Sequence, residues 1–404
     1  ERTMFSSISF APVFSAWFHP RVELATQYEM LRDPNARSLV VLPGVVGVDS
    51  VLAARDSIAQ ASSFALPRRM SSAQTLYTGT AIDVTRLFAS YSRDSSAARR
   101  IAAFFAPVDL SYTRSLLSTL DAAPVGAPLL YQLGLGNVGS FRHVNGVDAT
   151  AAGQTGTFTA ASALLLPRGT SITSRYSHIN TLNWIGRPDT TQAQVNGTQT
   201  RFPDAAVRWR YQPSAVTGPV TTLDASVGYV RSDVTTSLPS LFTDAPPEIR
   251  HTHIETFPIG GSVAWTVPGG LSTGARYSLL RRIDSLPGSV ARSHGDEISV
   301  DAGHAFKVPD SWGLGLRSAL RTRASFQQTR NTTYAYDDEA TFQSRLQDNG
   351  RQTFNLTADT NVQDNAVLTF QGSRIVNYDR NLDRKFEQIV FSMALQISFF
   401  GAGK

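Results

Sequence analysis

The segment Gln388–Phe399, QIVFSMALQISF, decides the fold class of this chain of 404 residues. Apolar side chains recur at every second position, and most residues between them are polar or small. A helix would mix these two sets, whereas a strand places them on opposite faces. Such a strand is typical of a transmembrane β-barrel wall, which meets hydrocarbon on one side and water on the other. We predict that one set faces lipid, namely Phe391, Met393, Leu395 and Ile397, and that the other faces the lumen, namely Gln388, Ser392 and Gln396.

Two earlier segments repeat this alternation with arginine at the polar positions. The apolar positions, predicted to face lipid, are Val207, Trp209, Leu316 and Leu320. The polar positions are Arg208, Arg210, Arg317, Arg321 and Arg323. An arginine that faces lipid near the bilayer midplane costs ~2–4 kcal/mol, so we predict that these side chains line the lumen.

The predicted lumenal arginines have two possible roles. They could give the lumen a positive bias that favours acidic cargo. They could instead form ion pairs with acidic side chains of neighbouring strands or of a plug, and this is the interpretation that we prefer. The available acidic partners are Glu23, Glu29, Asp224, Glu297 and Asp359.

The connections between predicted strands alternate in length after about residue 158. The short ones are 167–169, 213–219, 267–270, 308–313 and 362–366. The long polar ones are 185–202, 236–250, 284–296 and 328–351. Tight periplasmic turns that alternate with long extracellular loops are typical of outer-membrane barrels, and a soluble β-sandwich has no reason to sort its loops in this way.

The whole chain, 1–404, is predicted to be one antiparallel transmembrane barrel segment of about 15 strands, with long extracellular loops and a short helical insertion. Single-chain bacterial barrels normally have an even number of strands, so an odd count predicts part of a larger barrel. Residues 158–404 form the regular wall and 32–71 a long loop, while 84–157 is irregular. The irregular region contains a predicted short helix at Asp94–Phe105 and is expected to form a plug or a lobe. Its strand count is the least certain.

The tryptophans add weaker support for a barrel. Trp17, Trp265 and Trp312 lie in or beside short connections, whereas Trp184 lies at the opposite end of its predicted strand. Aromatic side chains at both strand ends are typical of the girdles that meet lipid headgroups.

Composition excludes several other classes of protein. The chain has no cysteine, which excludes disulfides, catalytic thiolates and cysteine-bound metals. It has no run of about 18 apolar residues, as a transmembrane helix would need. The net charge is +5, but the arginines are spread along the chain rather than clustered, which argues against nucleic acid binding. The first residues do not resemble the signal peptide that export requires, so we expect a fragment or a processed piece.

Two motifs resemble ligand-binding sites. Gly134–Gly139 matches the dinucleotide pattern GxGxxG, but a loop is predicted after it rather than a helix, so a glycine-rich turn is the preferred interpretation. His251 and His253, with Glu248 and Glu255 nearby, could share one face of a strand and bind a metal, but no third ligand is identifiable. A solvated loop edge is preferred there.

No catalytic group can be assigned from the sequence. The seven histidines are scattered, and no Gly-x-Ser-x-Gly motif is present. We therefore predict no catalytic residue, no cofactor, no metal and no enzyme activity.

Several phrases, in this order, resemble the C-terminal part of the type 9 secretion outer-membrane translocon of the SprA/Sov type. They are Pro20-Arg21, Arg32–Arg37, Pro107–Thr113, Tyr131–Gly136 and the closing Phe399-Phe400. The resemblance implies the last ~15 strands of about 36, the largest known barrel size. It also implies a wide lumen with a lateral opening, a smaller partner barrel, a periplasmic plug protein and secreted proteins as cargo.

The sequence therefore favours a protein-export channel of the bacterial outer membrane, of which this chain is the C-terminal part. The alternative is a stand-alone porin or receptor-type barrel for uptake of small molecules. A surface adhesin or barrel enzyme built on the long loops is a third, less favoured interpretation. The expected partners are outer-membrane lipid and the rest of the translocon chain, with no nucleic acid.

Overall fold

Fifteen antiparallel strands form one continuous sheet in the computed structural model of this protein. The structure describes residues 2–32, 68–91, 100, 102–123, 126–186, 192–213, 218–238, 247–308, 318–337, 343–363 and 366–397. Each strand pairs with its neighbours along the chain, apart from a small separate hairpin formed by β5 His143–Val144 and β6 Val147–Asp148. The predicted fold class and strand number are confirmed. The sheet strands are β1 Arg2–Phe10, β2 Phe18–Arg32, β3 Arg68–Ile82, β4 Val108–Ala123, β7 Ala151–Leu166, β8 Thr170–Gly186, β9 Gln192–Tyr211, β10 Val220–Leu238, β11 Glu248–Trp265, β12 Ser272–Leu286, β13 Ser289–Phe306, β14 Leu320–Asp337, β15 Gln343–Gln363, β16 Ala366–Asp379 and β17 Arg384–Ile397.

Three short helices are described in full in the first part of the chain. The first, α1, is Val84–Tyr91, and the Asp83 carboxylate caps it by accepting a hydrogen bond from the backbone N–H of Arg86 at 3.0 Å. The others are α2 at Leu129–Gln132 and α3 at Val138–Arg142. The helix predicted at Asp94–Phe105 falls mostly outside the described residues.

The predicted irregular regions contain more strand than the sequence indicated. Strand β4, Val108–Ala123, is a full wall strand inside 84–157, and β7 already begins at Ala151. The predicted loop 32–71 gives way to β3 at Arg68, and residues 33–67 lie outside the described part of the chain.

Three of the four predicted long loops after residue 185, namely 185–202, 284–296 and 328–351, are wrong, whereas residues 239–246 of the fourth, 236–250, lie outside the described residues. Most of these residues extend the strands, because β9 begins at Gln192, β13 at Ser289 and β15 at Gln343. The connection between β12 and β13 is only Pro287 and Gly288. The proposed alternation of short and long connections is therefore absent.

The sequence contains a signal for the turn between β12 and β13, the pair Pro287-Gly288. Proline favours the second position of a type II turn, and glycine is needed at the third because its φ is positive. Gly288 has φ 81°, and Leu286 pairs directly with Ser289 across the turn. The Pro-Gly pair thus closes a tight hairpin where a long loop was predicted.

Residues 126–150, called the lobe from here on, connect β4 to β7 and fold onto the sheet. Tyr131 and Phe141 are each 1% exposed. Their backbone carbonyls accept hydrogen bonds from the hydroxyls of Ser72 and Ser118, at 2.8 and 2.6 Å. These bonds satisfy polar groups that would otherwise be buried without a partner, so they fix the lobe in one position.

The glycine-rich motif lies in this lobe. Gly134 has φ +63°, and an added Cβ would lie 2.8 Å from the Cβ of Thr26 on β2. Glycine is therefore needed for a tight turn against the sheet. A short helix, α3, does follow the motif, capped by the Asn137 side chain, but α3 runs only from Val138 to Arg142. No strand–helix–strand unit surrounds it in the described part of the chain, so the turn interpretation stands.

Trp184 is packed under the lobe rather than exposed at a girdle. It is 6% exposed and belongs to the same buried cluster as Tyr28, Met70 and Tyr131. The guanidinium carbon of Arg142 lies 4.9 Å from the centre of its ring, within cation–π range.

We expect the lobe to loosen as the pH rises above 10. Burial raises the pKa of Tyr131 to about 12 from its ordinary value of 10.0. Between pH 10 and pH 12 the Tyr131 hydroxyl ionises when the lobe is detached from the sheet but not when the lobe is packed on it. The free energy that holds the lobe on the sheet therefore falls by about 1.4 kcal/mol per pH unit in this range. Limited proteolysis of residues 126–150 between pH 9 and pH 11.5 measures this. Tyr131→Phe removes the ionisable group, and equal pH dependence in both proteins would contradict the prediction.

Candidate functional site: the polar face of the sheet

Strand register divides the sheet into two faces. Val227 of β10 is paired with Ile259, which is paired with Tyr277, and Tyr277 with Ile298. Directly paired residues share a face, so we call this side the apolar face. The intervening residues form the opposite, polar face, for example Ser226, Gly260, Arg276, Ser299 and Gln327.

The predicted lipid-facing and lumenal residues separate between these two faces. Those on the apolar face are Val207, Trp209, Leu320, Phe391, Met393, Leu395 and Ile397. Those on the polar face are Arg208, Arg210, Arg321, Arg323, Gln388, Ser392 and Gln396. Leu316 and Arg317 lie outside the described residues. Which face meets lipid and which meets the lumen stays a prediction.

The apolar face is apolar only in one half of a strand, which on β13 is the C-terminal half. On β13 the span Ile298–Phe306, whose apolar face carries His304 but no acidic residue and no arginine or lysine, measures roughly 26 Å along the strand, and a strand tilt near 40° reduces this to roughly 20 Å of membrane depth. Beyond it the same face carries Asp296, His294 and Arg292. The neighbouring strands change in the same way, at Arg231 and Arg281.

An apolar band of this height is what a bacterial outer-membrane wall presents to hydrocarbon, in agreement with the predicted location. The strands continue past the band on the side of the predicted loops. In these outer segments both faces of each strand are polar. Apolar and polar residues therefore do not alternate in them, and the sequence did not predict strands.

No helix in the described part of the chain is long and apolar enough to cross a membrane.

The lobe packs against the apolar face. Tyr28, Ser72 and Ser118, which lie under it, are directly paired and continue the side of β2 that carries Val22 and Leu24. Of the two predicted possibilities, a lobe fits this position, since a plug would fill the lumen on the polar side.

The predicted ion pairing of lumenal arginines is found at one position. The Nε of Arg210 lies 2.7 Å from an Asp224 carboxylate oxygen, across β9 and β10. Beside this pair is a cavity of about 350 Å³, with Arg208, Arg276 and Asp301 in its wall. Opposite charges are interleaved here, so this part of the polar face is not uniformly positive.

The other predicted partners are arranged differently. Glu23 contacts Arg21, and Glu297 accepts a hydrogen bond from the Gln327 amide at 2.8 Å. Asp359 is paired with Arg321 in the strand register. Within the described ranges, Arg208, Arg321 and Arg323 have no ion pair.

His251 and His253 lie on the charged half of the apolar face, on strand β11. His253 contacts Asp233 at 2.5 Å and Glu255 at 3.5 Å, while His251 lies 3.1 Å from the Thr235 hydroxyl. The two imidazoles thus have separate partners. Among the described residues no group of three or more histidine, aspartate or glutamate side chains is arranged to hold a metal.

Strand β15 carries a buried carboxylate that no sequence pattern indicated. Asp348 is 2% exposed and lies 3.0 Å from Arg345 and 3.5 Å from Arg330. Arg330 is on the neighbouring strand β14, so only the register of the sheet brings the three charges together. No sequence signal could have located these three residues, because Asp348 lies in a stretch that was predicted to be a polar loop.

Comparison with known proteins finds relatives only among solved structures. No protein-family model matches the chain, and no curated protein matches it. The chain is similar to the alcaligin outer membrane receptor FauA of Bordetella pertussis, with 10% identity and a TM-score of 0.37 over 99% of this chain and 66% of that one. It is similar to the siderophore receptor PiuA of Acinetobacter baumannii, with 8% identity and a TM-score of 0.39 over 93% and 62%.

A third similar structure is the ferric yersiniabactin uptake receptor FyuA of Yersinia pestis, with 12% identity and a TM-score of 0.34 over 94% and 60%. This chain thus spans less than two thirds of the length of each receptor. Likenesses this distant carry no argument about function.

Proposed function

We propose that this chain forms part of the wall of a bacterial outer-membrane β-barrel that conducts polar cargo along its polar face. The observation that carries the proposal is the separation of the two faces, kept in register from β9 to β17. Lipid contacts the apolar face, and the free guanidinium groups and amides of the polar face meet the cargo. No step of this function needs a catalytic residue, a metal or a cofactor.

The two edges of the sheet support a larger assembly. β1 and β17 are the outermost strands, and within the described residues neither has a second partner. All of β17 is exposed, including Phe391 at 83%. Unpaired backbone N–H and C=O groups are costly in hydrocarbon, so both edges need a strand partner in the membrane.

The more specific form of the proposal is protein export. Cargo of that size needs a wide barrel, and a fifteen-stranded sheet with two free edges is suited to form part of one. The resemblance to the type 9 secretion translocon supports this form and supplies its partners, a smaller barrel beside a lateral opening and a periplasmic plug protein. The Arg208, Arg321 and Arg323 side chains are then free to meet acidic surfaces of the exported proteins.

Uptake of a small solute through a porin or receptor-type barrel is the second candidate. The clefts on the polar face favour it, because a cavity of about 350 Å³ beside Arg208 is of small-molecule size. The two forms differ in the size of the polypeptide and of the pore.

We expect the polypeptide that carries this sequence to be several times larger than 43.8 kDa when it is extracted from the outer membrane of its own cells. Gel migration with and without boiling measures both its size and its folded state. A folded band of about 44 kDa would overturn the export form and favour uptake. Absence from the outer-membrane fraction would overturn the proposal in both forms.

A further inference from the structure

A second, larger cleft lies on the polar face, where β14 to β17 approach their loop ends. Its volume is about 760 Å³, within the range of small-molecule sites. None of the residues predicted to line the lumen is among those that form it. The cleft therefore has a chemistry of its own, distinct from that of the arginine-lined region.

Two cross-strand rows form the floor of this cleft. The first is Asn331, Asn349, Asp379 and Arg384, and the second is Thr329, Arg351, Asn377 and Phe386. Each row takes one residue from each of four adjacent strands, and the strands are ~4.8 Å apart, so the floor is about 14 Å long. A floor of this length is longer than a single sugar ring.

The polar groups of the floor can both donate and accept hydrogen bonds. An asparagine amide has two donor hydrogens and an acceptor oxygen. In the part of the chain that the structure describes, the amides of Asn349 and Asn377 have no hydrogen bond. Asp379 uses Oδ1 to accept from the backbone N–H groups of Asn381 and Leu382, at 2.9 and 3.2 Å, which leaves Oδ2 for a ligand.

Phe386 is an unusual neighbour for these groups. Its ring is 61% exposed, although it lies on the polar face beside Asn377. A ring beside several amides is suited to a molecule that has both C–H faces and hydroxyl groups.

The charges around the cleft nearly balance. Its lining has three basic side chains and two acidic ones, namely Arg351, Arg384, Lys385, Asp379 and Asp383. A strongly anionic ligand would meet two carboxylates, and a cationic one would meet three basic groups. Balanced charge, free amides and one exposed ring together favour an uncharged ligand rich in hydroxyl groups.

We propose that this cleft binds a neutral oligosaccharide. The inference rests on the proposed function in that the cleft lies on the face along which cargo moves, and it names one class of ligand for that face. Asn349 and Asn377 bind the hydroxyls, Asp379 accepts from one of them, and the Phe386 ring packs against the C–H face of a sugar. Binding itself needs no movement across the membrane.

The test uses the full-length protein in detergent and three neutral probes, maltotriose, cellotriose and chitotriose, with a heparin disaccharide as the anionic probe. We expect saturable calorimetric binding of at least one neutral probe. Asn377→Leu and Phe386→Ala should each weaken it about tenfold, because each removes a contact of roughly 1.4 kcal/mol. The matched controls, Asn355→Leu and Val390→Ala, change polar-face residues outside the cleft and should bind as the unchanged protein does.

Several results would overturn the inference: no binding of any neutral probe, binding of the heparin disaccharide alone, or equal affinity in cleft and control variants. Heat-modifiable migration shows whether each variant is folded. Uptake of the same probes into proteoliposomes separates this inference from the proposed function. Binding without uptake would support the oligosaccharide site and contradict conduction of these probes. Uptake without binding would support conduction and contradict the oligosaccharide site.

Discussion

Leu395→Arg is expected to prevent stable insertion of this sheet into an outer membrane, whereas Gln396→Arg is expected to insert normally. The two residues are adjacent on β17 but lie on opposite faces, since Leu395 is paired with Leu368 and Gln396 with Val367. Leu395 lies between Met393 and Ile397 in the apolar band, so its guanidinium would sit in hydrocarbon at a cost of ~2–4 kcal/mol. At position 396 the same group would meet water.

The measurement is the fraction of full-length polypeptide that reaches the outer-membrane fraction in a heat-modifiable form. The two variants add the same charge to the same strand at nearly the same membrane depth, so they differ mainly in the face that carries the arginine. Equal insertion of the two variants would show that the faces are assigned wrongly. A defect in Gln396→Arg alone would show that they are reversed.

The division of the strands into two faces could be predicted from the sequence because it is a local property. Met393, Leu395 and Ile397 alternate with polar or small neighbours, and a strand period of two places them on one side without any knowledge of the partner strands. The same reasoning located Arg208 and Arg210 on the polar face. It holds wherever one face meets hydrocarbon and the other meets water.

The strand lengths could not be predicted because the same signal disappears outside the membrane. Where both faces of a strand are wet, no selection for alternation remains, and stretches such as 328–337 look like loops. Strand β14 nevertheless continues to Asp337, held by its pairing with β13 and β15. The Pro287-Gly288 turn was the available signal, and it was outweighed by the polar composition around it.

The two sites that the sequence missed depend on strand register. Asn331, Asn349 and Asn377 are far apart in sequence, and only the pairing of β14, β15 and β16 brings them to one cleft. One residue of slip in a single pairing would send a strand's contribution to the opposite face. Asp348 and Arg330 meet for the same reason.

Asp348→Asn is expected to destabilise the folded sheet by about 1.5 kcal/mol, since it leaves Arg345 and Arg330 without the carboxylate that they share. Loss of one partner from a pair costs ~3–5 kcal/mol only where it leaves a buried charge without a partner. The two arginines are 47% and 40% exposed and regain water, so the lower end of the range for a hydrogen bond to a charged group, ~1.5–3 kcal/mol, applies instead. The amide keeps the shape of the carboxylate, and the loss therefore reports the charge.

Asp224→Asn is the matched control, because Asp224 also contacts an arginine on the neighbouring strand. Its partner Arg210 is 58% exposed, and exposed pairs contribute ~0–1 kcal/mol. Urea unfolding of the two variants in the same detergent gives both values on one scale. A smaller loss of unfolding free energy than that of Asp224→Asn would mean that the Asp348 carboxylate does not stabilise the folded sheet. A loss of about 1.5 kcal/mol, above that of Asp224→Asn, would mean that it ties β14 to β15 beyond the apolar band, where lipid no longer supports the wall.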